Sequence, residues 1–379
     1  MTYLWKRRIE AAVFLILFTI FFTYLGSVMG TKNMLSTIMN TAHDLLLNTV
    51  FYLMSITVLA GALGQLMIEF GIVRLLEILL APFMRPLFNL PGVASLGALM
   101  TFFSDNPAII SLSEDKNFSS YFKRHELISL TNFGTAFGMG LIVITFMIGK
   151  GFFAPALIGF FGAVTGAIIS TRVMQRLIRN EDLERTFYPS KAHEEKIKMK
   201  SEGSIFLRLL NSVLDGGKMG VDIGIAIIPG VLIISSVVMI LTFGPKDPSI
   251  GYQGLAYEGV PVLPKVGGYF TWLFELLFGF KTPEAVAFPI TALGAVGAAL
   301  SVIPKFLAAN LIGGNEIAVF TAMGMCWSGY LSTHTAMLDA LGYRNLTSKA
   351  LISHTIGGIC AGVFAHYVFV LINMFIPIA

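Results

Sequence analysis

The run LISLTNFGTAFGMGLIVITFMIG, Leu127 to Gly149, holds no Asp, Glu, Lys or Arg. A helix needs about 20 mainly apolar residues to cross a bilayer, so this run reads as a membrane helix. Runs equally free of charge fall at 11–30, 45–68, 151–171, 223–245, 285–304, 317–338 and 350–379. Hydrophobic residues make up 55% of the 379 and charged residues 13%, with a mean hydropathy of +0.77. Soluble domains carry about 25% charge. A chain with half of that cannot cover a water-facing surface, so lipid must solvate most of it. The expected fold is an all-α, polytopic integral membrane protein. The 38 glycines agree, since glycine permits close approach of membrane helices. Cys326 and Cys360 lie in apolar stretches and suggest neither a disulfide framework nor a zinc cluster; no metal site is expected.

Lys and Arg set the orientation, because cationic loops stay in the cytoplasm. With residues 1–8 inside, 11–30 goes out and 45–68 returns. The stretch 71–125 then starts and ends inside with Arg74, Arg85, Lys116, Lys123 and Arg124. Runs 127–149 and 151–171 go out and back, and 172–218 lies inside with ten Lys/Arg. Run 223–245 exits, 317–338 returns, and 350–379 exits. Of 26 Lys/Arg, 20 are then inside; Lys32, Lys150, Lys246, Lys265, Lys281 and Lys305 are not. The first run follows Lys6, Arg7 and Arg8 but exceeds a signal peptide's apolar region of about 7–15 residues. It reads as a retained helix. The localisation expected is a cytoplasmic (inner) membrane, multi-pass, with the N-terminus in the cytoplasm.

This scheme makes seven crossings. It leaves 92–113, interrupted by Asp105-Asn106-Pro107, and 285–304 as re-entrant hairpins. Non-helical backbone at membrane depth survives only within protein or beside water. Two other readings stand open: a short interfacial helix for 92–113 and a plain eighth span for 285–304.

The chain also repeats itself. Leu46-Leu47-Asn48-Thr49-Val50 answers to Leu209-Leu210-Asn211-Ser212-Val213. Each half continues with an amphipathic stretch, 71–88 or 266–280, suited to the membrane surface. Gly97 through Pro107 lines up with Gly294 through Pro304, and Thr131-Asn132-Phe133-Gly134 with Thr321-Ala322-Met323-Gly324. The first half opens with an inward helix and the second with an outward one, the inverted-repeat arrangement of many secondary transporters. Duplication without transport is the competing explanation. The division expected is an N-terminal helix over 1–32, a first repeat over 33–178, a basic cytoplasmic linker over 179–203 and a second repeat over 204–379.

The run Gly71-Ile72-Val73-Arg74-Leu75-Leu76-Glu77 leads into Met84-Arg85-Pro86-Leu87-Phe88-Asn89-Leu90-Pro91-Gly92. With Phe103-Ser104-Asp105-Asn106-Pro107 and Asn132-Phe133-Gly134-Thr135, it resembles the nucleoside-recognition, or Gate-domain, membrane proteins. That group takes in spore maturation membrane proteins, the membrane portion of bacterial ferrous-iron transporters and relatives of concentrative nucleoside transporters. The resemblance covers about 45–175 and, more faintly, 205–375. It implies two Gate repeats with re-entrant hairpins, a bacterial or archaeal inner membrane and self-association into a homo-oligomer. It names no solute: no complete nucleoside-binding motif is present, and nucleoside is one candidate.

Polar groups at membrane depth are costly and are therefore site candidates. Pro107 removes a backbone donor, and Ser104, Asp105 and Asn106 before it offer ligands for a solute, Na+ or H+. Asp105 could equally cap a short helix. The second-half counterpart, Ser301 to Lys305, is basic through Lys305, with Pro304 as its hinge. Asn132 and Thr135 in one helix middle, and Thr321, Ser328, Ser332, Thr333 and His334 in the other, complete the expected solute or ion site. Gly134, Gly138, Gly324 and Gly329 are the hinges, or else simple packing glycines. His334 either titrates near neutral pH or sits buried on a neighbouring Thr; His354 and His366 suit packing. Lys218, Asp222 and Lys305 are coupling or gating candidates, with a pairing of Lys305 and Asp105 open and Asp215–Lys218 also readable as an interfacial ion pair.

No H-E-x-x-H, P-loop or G-x-S-x-G occurs, so no enzyme activity and no cofactor is expected. Without a P-loop, active transport draws on an ion gradient, with Na+ or H+ as coupling ion. The expected function is a secondary transporter of a small polar solute, in contact with membrane lipid and with no nucleic-acid partner. A channel or lipid-translocating protein, and a non-transporting component of sporulation or assembly, are the alternatives.

Overall fold

The computed structural model describes residues 3–114, 116–179 and 204–378. Apart from Arg179, the basic linker expected over 179–203 lies outside the described residues. In chain order the helices are α1 (Tyr3–Met29), α2 (Thr31–Asp44), α3 (Phe51–Glu69), α4 (Ile72–Phe83), α5 (Ala94–Phe103), α6 (Pro107–Glu114), α7 (Lys116–Ser119), α8 (Arg124–Thr135), α9 (Gly140–Gly149) and α10 (Phe153–Leu177). After the linker come α11 (Ile205–Ala226), α12 (Ser236–Thr242), α13 (Val262–Gly268), α14 (Thr271–Phe278), α15 (Ala287–Gly294), α16 (Val296–Ala308), α17 (Gly314–Cys326), α18 (Ser332–Ala340) and α19 (Thr347–Phe375).

Among the described residues six segments are long and apolar enough to cross a membrane: Trp5–Met29, Thr31–Glu69, Arg124–Gly149, Phe153–Leu177, Ile205–Thr242 and Arg344–Phe375. The protein is a multi-pass, all-α integral membrane protein. The seventh crossing expected from the sequence, 317–338, falls outside these six and is interrupted between α17 and α18, as Arg124–Gly149 is between α8 and α9. The stretch 285–304 is not a plain span either. Extended Ala295 (φ −165°, ψ 127°) separates α15 from α16. Pro304 lies inside α16, and the interruption falls at small residues nine positions earlier.

Two of the long segments run antiparallel. At one end Arg208 Nε lies 2.7 Å from Glu69 Oε1. Further along, Thr57 Oγ1 donates to the Gly220 carbonyl at 2.6 Å. At the far end Leu25 and Met34 pack with Ile240. The approach is close because α11 turns Ser212, Gly216, Gly220 and Gly224 towards α3, one small residue per turn. Each segment also contains one widened π turn, Leu45–Val50 and Gly230–Ser235, and these turns meet. The opposite faces carry exposed Leu59, Leu214 and Ile225, apolar surface suited to lipid.

A second packed layer joins α10, α17 and α19. Gly166 faces the Gly357 carbonyl and Gly159 faces Thr321, so the backbones nearly touch. The amphipathic stretches become α4 and the α13–α14 pair. Val73 and Met84 face inward, while Leu75, Ile78 and Leu79 are exposed; Tyr269 and Trp272 are exposed in the second stretch.

Local bonds recur at a spacing of 190 residues. Glu126 and Glu316 each fold back onto the backbone N–H three residues earlier, Lys123 at 2.8 Å and Gly313 at 2.9 Å. Thr101 and Thr291 each donate to the carbonyl four residues before. Thr131 and Thr321 stand at the same spacing, as the sequence alignment has them. The hairpin alignment is different: the break at Ser104–Asn106 answers to Gly294-Ala295, not to Ser301–Pro304. A shared Gly-Ala pair and a chance proline pulled that match seven residues out of register.

Candidate functional site

Three interruptions converge on one point. The first is Ser104-Asp105-Asn106, between α5 and α6. Ser104 leaves helical geometry (φ −122°, ψ −101°), and α6 begins at Pro107, whose missing N–H costs nothing at a helix start. The second is 136–139, between α8 and α9, where Met139 takes the left-handed conformation (φ 54°). The third is 327–331, between α17 and α18.

Asn106 is the meeting point. It is 6% exposed. Its Nδ2 lies 3.3 Å from Ser328 Oγ, and Ser328 Oγ donates to the Thr135 carbonyl at 3.2 Å. That carbonyl belongs to the last residue of α8 and also accepts the Gly138 N–H at 3.2 Å. A Cβ on Gly138 would overlap both Asn106 Oδ1 and Ser328 Oγ; one on Gly329 would overlap Asn106 Nδ2 and Thr333 Oγ1. Glycine at these two positions lets the carboxamide lie between the broken helices. Asn106 Oδ1 is buried with no hydrogen-bond partner. An unsatisfied buried acceptor costs about 1–3 kcal/mol, so this atom is poised for a donor.

Asp105 stands beside it, half-buried, with Oδ1 accepting the Asn106 N–H at 2.7 Å. That bond reaches only the next residue, before α6 begins at Pro107, and engages no N–H of α6 itself. No ion pair engages Asp105 among the described residues. Thr333 and His334 begin α18, close behind. His334 Nδ1 lies 2.6 Å from the Tyr330 carbonyl, and its Nε2 is buried without a partner. Its ring faces that of His354 at 4.5 Å. Ser332 is exposed at the same helix start.

Other expected residues go elsewhere. Asn132 Nδ2 lies within hydrogen-bond reach of Ser170 Oγ at 2.9 Å, the Ala350 carbonyl at 2.9 Å and Ser353 Oγ at 2.8 Å, one acceptor more than its two N–H groups can serve, and its Oδ1 is buried without a partner among the described residues. Ser170 Oγ continues to His354 Nδ1 at 2.9 Å. This fully buried network ties α8 to α10 and α19. Thr321 Oγ1 bonds back to Ile317 at 2.7 Å. The Thr135 hydroxyl likewise turns back, to Thr131 at 2.6 Å, so Thr135 serves the site through its carbonyl. Gly134 and Gly324 are packing glycines inside continuous helix, against Ile109 and Phe288. Lys218 and Asp222 are exposed on α11, away from its glycine face, and no ion pair joins Lys218 to Asp215 among the described residues.

Lys305 does not meet Asp105. Its Nζ lies 4.8 Å over the Tyr257 ring, and the Tyr257 hydroxyl donates to Asp44. Burial first, then the Asp44 hydrogen bond and charge, push the Tyr257 phenol well above its usual range. The loop that carries Tyr257 is folded around Glu258, whose Oε2 accepts the N–H groups of Gln253, Gly254 and Leu255. The sequence reading missed this cluster, Met139, and the pairing of Arg85 with Glu126. Of these only the Glu126 cap had a sequence signal, an acidic residue in a first helical turn.

No family model matches the chain. It is similar to the sporulation integral membrane protein YlbJ of Bacillus subtilis (strain 168), at 38% identity over 101 residues, 26% of this chain and 23% of that protein. The chain thus spans under a quarter of the length of that relative. Among solved structures it resembles a CNTnw variant in an outward-facing state, with TM-score 0.54, 15% identity and coverage of 97% of this chain and 86% of that one. It also resembles CNTnw in an inward-facing substrate-bound state, with TM-score 0.54, 15% identity and coverage of 83% and 74%. The chain shares the overall fold of these membrane proteins.

Proposed function

We propose that the protein is a secondary transporter of a small polar solute, built as two oppositely oriented halves and working by alternating access. The observation that carries this reading is the junction at Asn106. Three backbone interruptions meet there, glycines line it, and a buried acceptor has no partner. Interrupted helices at membrane depth supply free backbone groups to a solute or ion. In this reading α5–α6 and α15–α16 are re-entrant hairpins, and Na+ or H+ is the coupling ion. The similarity to a fold solved in outward-facing and inward-facing substrate-bound states supports alternation. The contacts at Asn106 are direct, so opening the site to either side means parting Asn106 from Ser328.

Uptake into proteoliposomes tests this, with labelled nucleosides and other small polar solutes and with imposed Na+ or H+ gradients. Saturable, gradient-dependent uptake is expected; flux without saturation or coupling would indicate a channel instead. The local match to the sporulation protein favours a second reading, a membrane component without transport. That protein would show no ligand-dependent thermal shift against the same solutes.

A further inference from the structure

Away from the Asn106 junction, the C-terminal end of α10 borders a cavity of about 380 Å³. Among the described residues its lining includes Asn89, His125, Arg172, Gln175, Arg176 and Arg179, and no carboxylate. We propose that this cavity binds a phosphate-bearing anion, either an anionic phospholipid headgroup or a soluble phosphate compound.

Arg172 and Arg176 stand four residues apart on one face of α10, and Arg179 follows in the turn just past its end. Their setting is fixed by bonds. Arg172 Nε donates to the Leu87 carbonyl at 2.5 Å and Nη2 to the Pro86 carbonyl. A guanidinium has five donors, so Arg172 is anchored and still has N–H groups to offer. Gln175 Oε1 accepts from Asn89 Nδ2 at 3.0 Å, and its Nε2 donates to Ser129 Oγ and the Phe88 carbonyl, each at 3.2 Å. Asn89 itself turns the chain in the left-handed conformation (φ 55°). These bonds build the wall before any ligand arrives.

Charge favours an anion. The nearest carboxylate in sequence, Glu126 beside His125, is already engaged by Arg85 and the Lys123 N–H. The C-terminal end of α10 opposes an anion with about half a negative charge, but Lys349 Nζ donates to its Leu177 carbonyl at 3.1 Å. Three guanidinium groups outweigh the remainder. Guanidinium forks match phosphate oxygens in pairs, and basic pockets at the ends of membrane helices suit phospholipid heads. A cationic rim left by the positive-inside rule alone would need no anchored arginine and no concave pocket beside it.

The test uses the full chain in detergent, with pyrophosphate followed by thermal shift and phosphatidylglycerol against phosphatidylcholine followed by native mass spectrometry. The variants are Arg176→Gln/Arg179→Gln, whose side chains are exposed, and Arg172→Lys as a second. Stabilisation by pyrophosphate that weakens at least tenfold in the double variant assigns a soluble phosphate. Selective retention of phosphatidylglycerol, lost in the double variant, assigns a lipid headgroup. Binding of neither, or binding unchanged in both variants, overturns the proposal.

Discussion

Asn106 Nδ2 and Ser328 Oγ lie 3.3 Å apart across 222 residues of sequence, joining the break before α6 to the break before α18. One such bond contributes about 1 kcal/mol net, too little to decide whether the helices insert. It does fix the carboxamide between two glycines. Asn106→Ala and Asp105→Ala are therefore expected to insert normally and to lose uptake at least tenfold. Wild-type uptake by both in proteoliposomes would remove this segment from the mechanism.

The glycines beside Asn106 predict a coupled effect. Gly138→Ala places a methyl group on Asn106 Oδ1 and Ser328 Oγ. Overpacking of this kind costs about 1–3 kcal/mol. Adding Asn106→Ala removes the overlapped atoms, so the pair should melt in detergent closer to wild type than Gly138→Ala alone, with a coupling of about 0.5–3 kcal/mol. Strictly additive melting shifts would show that the carboxamide does not fill this space.

The class of fold and the crossing segments were legible because charge-free runs of bilayer length need no long-range information. Asn106 and Ser328 stood out as candidates because polar residues and glycines interrupt apolar sequence, and the structure brings the two together. Which of the polar residues serve the site was not. Asn132 and Thr321 look like ligands along the chain, yet one joins a three-helix network and the other bonds its own helix. Pro304 looks like a break, yet a helix tolerates it while extended Ala295 separates the helices. Those outcomes depend on which helix packs opposite, and sequence spacing does not carry that.

Asn132 consequently predicts a stability effect rather than a specificity effect. Asn132→Ala leaves Ser170 Oγ, Ser353 Oγ and the Ala350 carbonyl without its amide. The expected loss is about 1–3 kcal/mol, read as earlier thermal unfolding in detergent. The KM for solute should be unchanged in the protein that folds; a raised KM with unchanged melting would return Asn132 to the solute site.

Orientation is open to chemical labelling. The exposed loop at Ser249 and the exposed end of α10 at Arg176 are expected on opposite sides, with Arg176 in the cytoplasm because Lys and Arg concentrate there. Cys326 is buried and Cys360 half-buried, so a Cys360→Ala background is nearly silent. In it, Ser249→Cys should react with an impermeant maleimide from outside intact cells and Arg176→Cys only after lysis. The reverse pattern would invert the topology.

Two neighbouring glycines on α11 separate helix packing from helix propensity. Gly220 meets the Thr57 carbonyl and Val58 Cα so closely that a Cβ would overlap both. Backbone cannot yield as a side-chain tip can, so Gly220→Ala must push α11 off α3 and weaken the Thr57–Gly220 bond. The expected cost is about 1–3 kcal/mol. Gly217, one turn back, meets only Val58 Cγ1 at 3.7 Å, ordinary contact. There Ala should be neutral or stabilise by up to about 1 kcal/mol through helix propensity. Both substitutions add the same methyl group to the same helix, so composition and lipid solvation cancel between them. Equal melting shifts for the two in detergent would mean that α3 and α11 do not pack at backbone distance, and the antiparallel pairing of the two long segments would fall with that result.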